Sequence, residues 1–165
     1  MRKQELHIAA FGAGRMGRGI GICFALAGWQ ISLIDSRLRE DWATYKVGIE
    51  KEIAQTLALL VDLDLLPAGS EAVIKDRISL LPHNDGLASL SKCEVIFEAV
   101  PETEAAKKEA LRKLDLVLSE AAIVASTTST FLADLVASWS TRPEYVLNAH
   151  FLNPAFLVPL IEVSP

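Results

Sequence analysis

Short, wholly apolar runs alternate with longer amphipathic ones along this chain. Residues 6–11 are apolar apart from His7 and stop at Gly12, which predicts a buried strand. Residues 15–27 follow as a helix closed by Gly28, and residues 30–35 as a second strand. Residues 38–66 read as one long helical stretch, stopped by Pro67-Ala68-Gly69, with another helical turn or two at 70–76. Residues 77–81 and 93–99 are strand-like and separated by the turn Pro82-His83-Asn84-Asp85-Gly86. Thr103 is placed to cap a helix to Leu118, in which Ala106, Ala110, Leu114 and Val117 keep the 3.6-residue period. Residues 121–126 predict a strand, 131–139 a helix, 145–149 a strand and 160–163 the last strand. Strands that alternate with helices and are apolar on both sides form a parallel sheet covered on both faces, so the fold class is α/β. Ligands of such sheets sit beyond the carboxyl ends of the strands, and the residues there are the ones to inspect.

Composition narrows the class. At 165 residues, with 51% apolar and 22% charged positions, the chain is one ordinary domain, residues 1–165, and neither disordered nor a coiled coil. A net charge of −5 argues against nucleic acid and anionic membranes as partners. The best apolar stretch, residues 57–66, is broken by Asp62 and Asp64, so no membrane span is expected. No signal-peptide pattern opens the chain, and the two cysteines, Cys23 and Cys93, lie in apolar elements. They read as buried thiols of a reducing compartment, and a cytoplasmic location is expected.

Gly12-Ala13-Gly14-Arg15-Met16-Gly17 follows the first strand and opens a helix. This is the context a G-x-G-x-x-G turn requires for dinucleotide binding. Gly12 permits the tight turn, Gly14 leaves room for a pyrophosphate, and Gly17 lets helix and strand pack closely. The helix N-terminus then offers free N–H groups and positive potential to the diphosphate. Asp35 ends the second strand, where a carboxylate accepts from the ribose hydroxyls and favours NAD over NADP. Arg37, close by, counts the other way. The fold expected is therefore a Rossmann-type, doubly wound, mostly parallel sheet with helices on both faces.

Three more segments end strands: Glu98-Ala99-Val100-Pro101-Glu102, followed by Lys107; Ser126-Thr127-Thr128-Ser129-Thr130; and His150-Phe151-Leu152-Asn153-Pro154. His150 ends an apolar strand at the cofactor edge, and imidazole is the usual general base near neutral pH. Glu162 lies twelve residues on, in the apolar segment Leu160-Ile161-Glu162-Val163, where an unpaired carboxylate is costly. Pairing with His150 removes that cost and fixes the ring tautomer. Ser129 adds a hydroxyl nearby. His7 and His83 read as structural residues, one at a strand start and one in a turn.

At these motifs the chain resembles the N-terminal NAD-binding domain of the L-3-hydroxyacyl-CoA dehydrogenase family. The resemblance covers almost all of the chain. It rests on the turn at Gly12 to Gly17, the acid Asp35, a long helical hairpin after the second strand at 38–66, the E-A-x-x-E segment at 98–102, and the H-F-x-N-P segment at 150–154 with its glutamate. It implies oxidation of the 3-hydroxyl of an L-3-hydroxyacyl-CoA to the ketone, with hydride passing to NAD, in fatty-acid β-oxidation. His150 would take the hydroxyl proton, and Glu162 would orient His150. Ser129 and Asn153 would hold the substrate oxygen and the histidine. Cofactor contacts are implied at Gly12, Gly14, Arg15, Met16, Gly17, Asp35, Ala99, Val100, Glu102, Lys107 and Thr127. No metal is implied.

The chain departs from the family in places. Thr127 and Thr130 stand where the family usually has Asn and Ser. Residues 52–66 carry no Lys or Arg, although the family's hairpin meets the CoA phosphate with serine and lysine. Small hydroxy acids, as in the L-gulonate and carnitine 3-dehydrogenases, are therefore the alternative substrates. A non-catalytic NAD-binding module is the alternative of a different class. The family continues past the position of Pro165 into a helical domain that closes the substrate cleft and makes a homodimer interface. This chain alone is expected to be inactive or weakly active.

Overall fold

The structure is a computed structural model that describes residues 6–165. Four-residue strands dominate: β1 (Ile8–Phe11), β2 (Ile31–Ile34), β3 (Ile78–Leu81), β4 (Val95–Glu98) and β5 (Ile123–Ser126), followed by β6 (Val146–Phe151) and β7 (Ile161–Ser164). They form one sheet in the order β3-β2-β1-β4-β5-β6-β7, parallel except for β7, which runs back along β6. The reversal between β3 and β4 in chain order puts β1 and β4 side by side at the centre, where a doubly wound sheet opens its ligand crevice.

Along each strand, alternate side chains feed opposite cores. Ile8 and Ala10 join one layer, with Ile20, Ile53, Leu57 and Ile74 from helices α1 (Arg15–Leu26), α2 (Trp42–Asp62) and α3 (Glu71–Lys75). Ala9 and Phe11 join the other, with Ala110, Leu111 and Val136 from α5 (Glu104–Asp115) and α6 (Ala133–Ala137). Between β3 and β4, α4 (His83–Ser89) covers the same face as α5. Both cysteines are free, and burial pushes each thiol up to about 11.

Three elements differ from the sequence pattern. The long helix starts at Trp42 rather than near residue 38, because Asp41 turns back as its cap and accepts from the Thr44 N–H at 2.9 Å. It ends at Asp62; Asp64 has φ +57°, and the Leu65 N–H returns to the Leu60 carbonyl. The hairpin is thus one long arm and one short one, α3. Residues 82–86, expected as a turn, begin α4 instead. Gly86 serves contact there rather than chain reversal, since a Cβ would sit 2.3 Å from Ile34. His83 is buried at the start of that helix and donates from Nδ1 to the Asp35 carbonyl at 3.2 Å. The helix expected over 131–139 shrinks to Ala133–Ala137. The Phe131 N–H is taken by the Thr128 hydroxyl at 3.1 Å, which holds 128–131 in a turn.

Candidate active site

The β1–α1 turn rests on approaches that only glycine allows. Gly12 has φ +122°, and a Cβ there would lie 2.4 Å from the Ala99 carbonyl oxygen. A Cβ on Gly17 would lie 1.9 Å from the Gly12 carbonyl oxygen. Gly14 is different: nothing lies within 4 Å of its Cβ position. It caps α1 without a side-chain acceptor, and the first turn carries no acid. The leading N–H groups of α1 are therefore left to a ligand. An open cradle with uncompensated donors fits a diphosphate.

From this turn a cleft of about 550 Å³ runs along the carboxyl ends of β2, β1, β4, β5 and β6. Gly12, Gly14, Arg15 and Met16 line its middle with Ala99 and Val100. Asp35 lies at one end; Glu102, Thr127, Ser129, His150 and Asn153 lie towards the other. Gly17, Lys107 and Glu162 are not on its wall and act from behind it.

At the first end Asp35 is 2% exposed. Its Oδ1 accepts from the Arg37 N–H at 3.2 Å and from the Arg39 guanidinium at 3.4 Å, and its Oδ2 accepts from Arg39 Nε. Arg39 also lies over Tyr45, with Cζ 3.3 Å from the ring centroid. The sequence reading weighed Arg37 and missed Arg39. Spacing carries no signal for it, because residues 35–41 are not helical and an i,i+4 step brings side chains together only on a helix.

Towards the other end, a buried column joins two loops. Glu98, fully buried, accepts from the Val100 N–H at 2.9 Å, Ser126 Oγ at 2.6 Å and Lys107 Nζ at 3.0 Å. Lys107, also fully buried, reaches on to Glu102 Oε2 at 3.1 Å. Lys107, implied as a cofactor contact, is off the cleft wall and spends its three donors on the carboxylates of Glu98 and Glu102. Glu102 Oε1 accepts from Thr128 Oγ1 at 2.5 Å, Thr130 Oγ1 at 2.9 Å, and the Ser129 and Thr130 N–H groups at 3.0 and 3.1 Å. Burial opposes its charge, but the Thr128 and Thr130 hydrogen bonds and Lys107 outweigh it and hold the carboxyl at about 2. Thr128, Thr130 and Glu98 are visible in the strand-end motifs, but spacing alone assigns them no role.

His150 and Glu162 meet across β6 and β7, which pair residue for residue at this position. Nδ1 lies 2.8 Å from Glu162 Oε2. An ionised carboxylate can only accept, so Nδ1 carries the proton and Nε2 is left with its lone pair. Such an imidazole can take a proton at Nε2. Ser129 and Asn153 lie on the same stretch of wall.

The family model for the 3-hydroxyacyl-CoA dehydrogenase NAD-binding domain matches residues 7–165. The chain belongs to the 3-hydroxyacyl-CoA dehydrogenase family. Its cofactor is NAD. The 3-hydroxybutyryl-CoA dehydrogenase of Bradyrhizobium diazoefficiens is 30% identical over 159 residues, covering 94% of this chain and 50% of that protein. The mitochondrial hydroxyacyl-coenzyme A dehydrogenase of Homo sapiens is 30% identical over 95% of this chain and 49% of its own length. The chain thus spans about half the length of these relatives. Among solved structures, FadB2 of M. tuberculosis superposes with a TM-score of 0.83 at 28% identity, over 95% of this chain and 53% of that one. Escherichia coli 3-hydroxybutyryl-CoA dehydrogenase gives 0.81 at 28% identity, over 97% and 32%. Among the described residues, no helix is long and apolar enough to cross a membrane.

Proposed function

We propose that this domain serves the oxidation of the 3-hydroxyl of an L-3-hydroxyacyl-CoA to the 3-ketone, as part of fatty-acid oxidation. The observation that carries the proposal is His150, set on the same wall as the glycine turn and paired from outside that wall with Glu162. Bound NAD would supply the hydride acceptor for C3. The turn at Gly12, Gly14, Arg15 and Met16, with Asp35, Ala99, Val100, Glu102 and Thr127, would hold it.

His150 does the proton work. Its Nε2 takes the proton of the substrate hydroxyl, and Glu162 stabilises the imidazolium that forms. Ser129 and Asn153 offer hydrogen bonds to the substrate oxygen. Glu102 keeps the 127–130 turn, and so Ser129, in place. Its low pKa leaves it ionised and unable to compete for the substrate's proton. A cytoplasmic site of action and a homodimer belong to the same proposal.

The test is NADH formation from L-3-hydroxybutyryl-CoA, with L-gulonate and carnitine as competing substrates. Loss of the thioester reaction in His150→Gln, with NAD affinity kept, is expected. Oxidation of a free hydroxy acid in preference to the thioester would overturn the substrate assignment. It is the absence of Lys and Arg from residues 52–66 that keeps the free acids as the second reading.

A further inference from the structure

The Asp35 end of the cleft carries more positive than negative charge. Arg37 and Arg39 line it with Tyr45, against the single carboxylate of Asp35. That carboxylate is engaged on both oxygens, chiefly by the Arg39 fork. A bare carboxylate at a strand end repels a 2′-phosphate, which is how such an acid selects NAD. One already neutralised by a guanidinium repels it far less. The guanidinium itself is a planar donor suited to phosphate.

We infer that this end of the cleft also accepts a 2′-phosphorylated adenosine, so that the chain binds NADP alongside NAD, with Arg39 and Arg37 as the phosphate donors. Arg39 reaches the site from the loop between β2 and α2, where its side chain is 30% exposed. Its contact with Tyr45 is a second anchor, separate from Asp35, that holds the guanidinium on the cleft wall. Arg37 gives its backbone N–H to Asp35, and the residue also lines a second cavity of about 220 Å³ that continues to Lys113 and its partner Glu109. The inference rests on the nucleotide assignment of the cleft and not on the dehydrogenase reaction.

The experiment is calorimetric titration of the 165-residue chain with NAD and NADP, and with 5′-ADP, 2′,5′-ADP and 3′,5′-ADP as probes. NADP is expected to bind within about tenfold of NAD, and 2′,5′-ADP more tightly than 5′-ADP, with the advantage shrinking as salt screens it. Arg39→Ala and Arg39→Gln should each raise the NADP-to-NAD ratio of dissociation constants by about tenfold, the scale of one charge-assisted hydrogen-bond pair. Asp35→Asn should lower that ratio. Melting curves confirm that each variant is folded. An NADP affinity more than about tenfold below that of NAD would overturn the inference. So would a ratio unmoved by both Arg39 variants, or tighter binding of 3′,5′-ADP than of 2′,5′-ADP. Failure of every nucleotide to bind would overturn it together with the NAD assignment, while leaving a distinct signature.

Discussion

His150 and Glu162 stand opposite one another on antiparallel neighbours, with Nδ1 2.8 Å from Oε2. The pairing depends on β7 running backwards: a parallel strand there would slant the register and could not set the two side chains face to face. In the proposed reaction β7 therefore positions the base as well as extending the sheet.

The pair is expected to act as one unit. His150→Gln should lower NADH formation by about 10²–10⁴-fold, the range for loss of a general base, with NAD affinity unchanged. Glu162→Gln should slow the same step, and the double variant should lose less than the product of the two. Strictly multiplicative losses in the kinetic cycle would separate the residues.

The 165-residue chain by itself should oxidise L-3-hydroxybutyryl-CoA at less than about 1 s⁻¹, below the usual range of enzymes. The motive is exposure: the Glu162 side chain is 63% exposed and His150 24%. Water then competes with the substrate for the dyad, and near-attack positioning is weak. Steady-state rates at micromolar enzyme check this.

Two glycines of one turn should fail differently. Gly14→Ala meets nothing within 4 Å in the protein, so its melting temperature should match the wild type while NAD affinity falls by at least about tenfold. Gly17→Ala drives a methyl into the Gly12 carbonyl and should cost about 2–4 kcal/mol of stability. Denaturant unfolding and titration on both variants distinguish the two outcomes.

Glu102 makes the stability of the domain sensitive to acid. Its carboxyl is held at about 2, against an ordinary 4.5. Its contribution is then fully present above about pH 4.5 and fades as pH falls towards 2, when the native carboxylate itself is protonated. The stability gap between wild type and Glu102→Gln should be flat from neutral pH to about 5 and close below it. A gap independent of pH down to 3 would show that charge plays no part.

Both thiols should be slow towards iodoacetamide in the native chain. At about 11, each carries roughly a hundredth of the thiolate of an ordinary cysteine at pH 8. Denaturation should release two equivalents of fast-reacting thiol, as counted by mass spectrometry.

The sheet, the turn and the dyad could be read from the chain because each is a local pattern or a fixed spacing. Apolar runs ending in Gly12, Asp35 and His150 mark strand ends, and the twelve-residue step to Glu162 is one return of the chain from β6 to β7. Arg39 and the Glu98–Lys107–Glu102 column were not legible in their roles, because their partners come together only through packing. Nothing in the spacing of Lys107 says that it is enclosed by two carboxylates and kept off the cleft wall. Residues 82–86 misled for a related reason. The glycine that reads as a turn is there because Ile34 leaves no room for a side chain.

The four donors gathered on one oxygen of Glu102 have a consequence for affinity. They fix the 127–130 turn while the chain folds, before any ligand arrives. The conformational entropy of that turn is lost once, at folding, and is no part of the free energy of substrate capture. Substrates that differ only in chain length should therefore meet the same rigid lip at Ser129, and discrimination among them must come from surfaces other than this one.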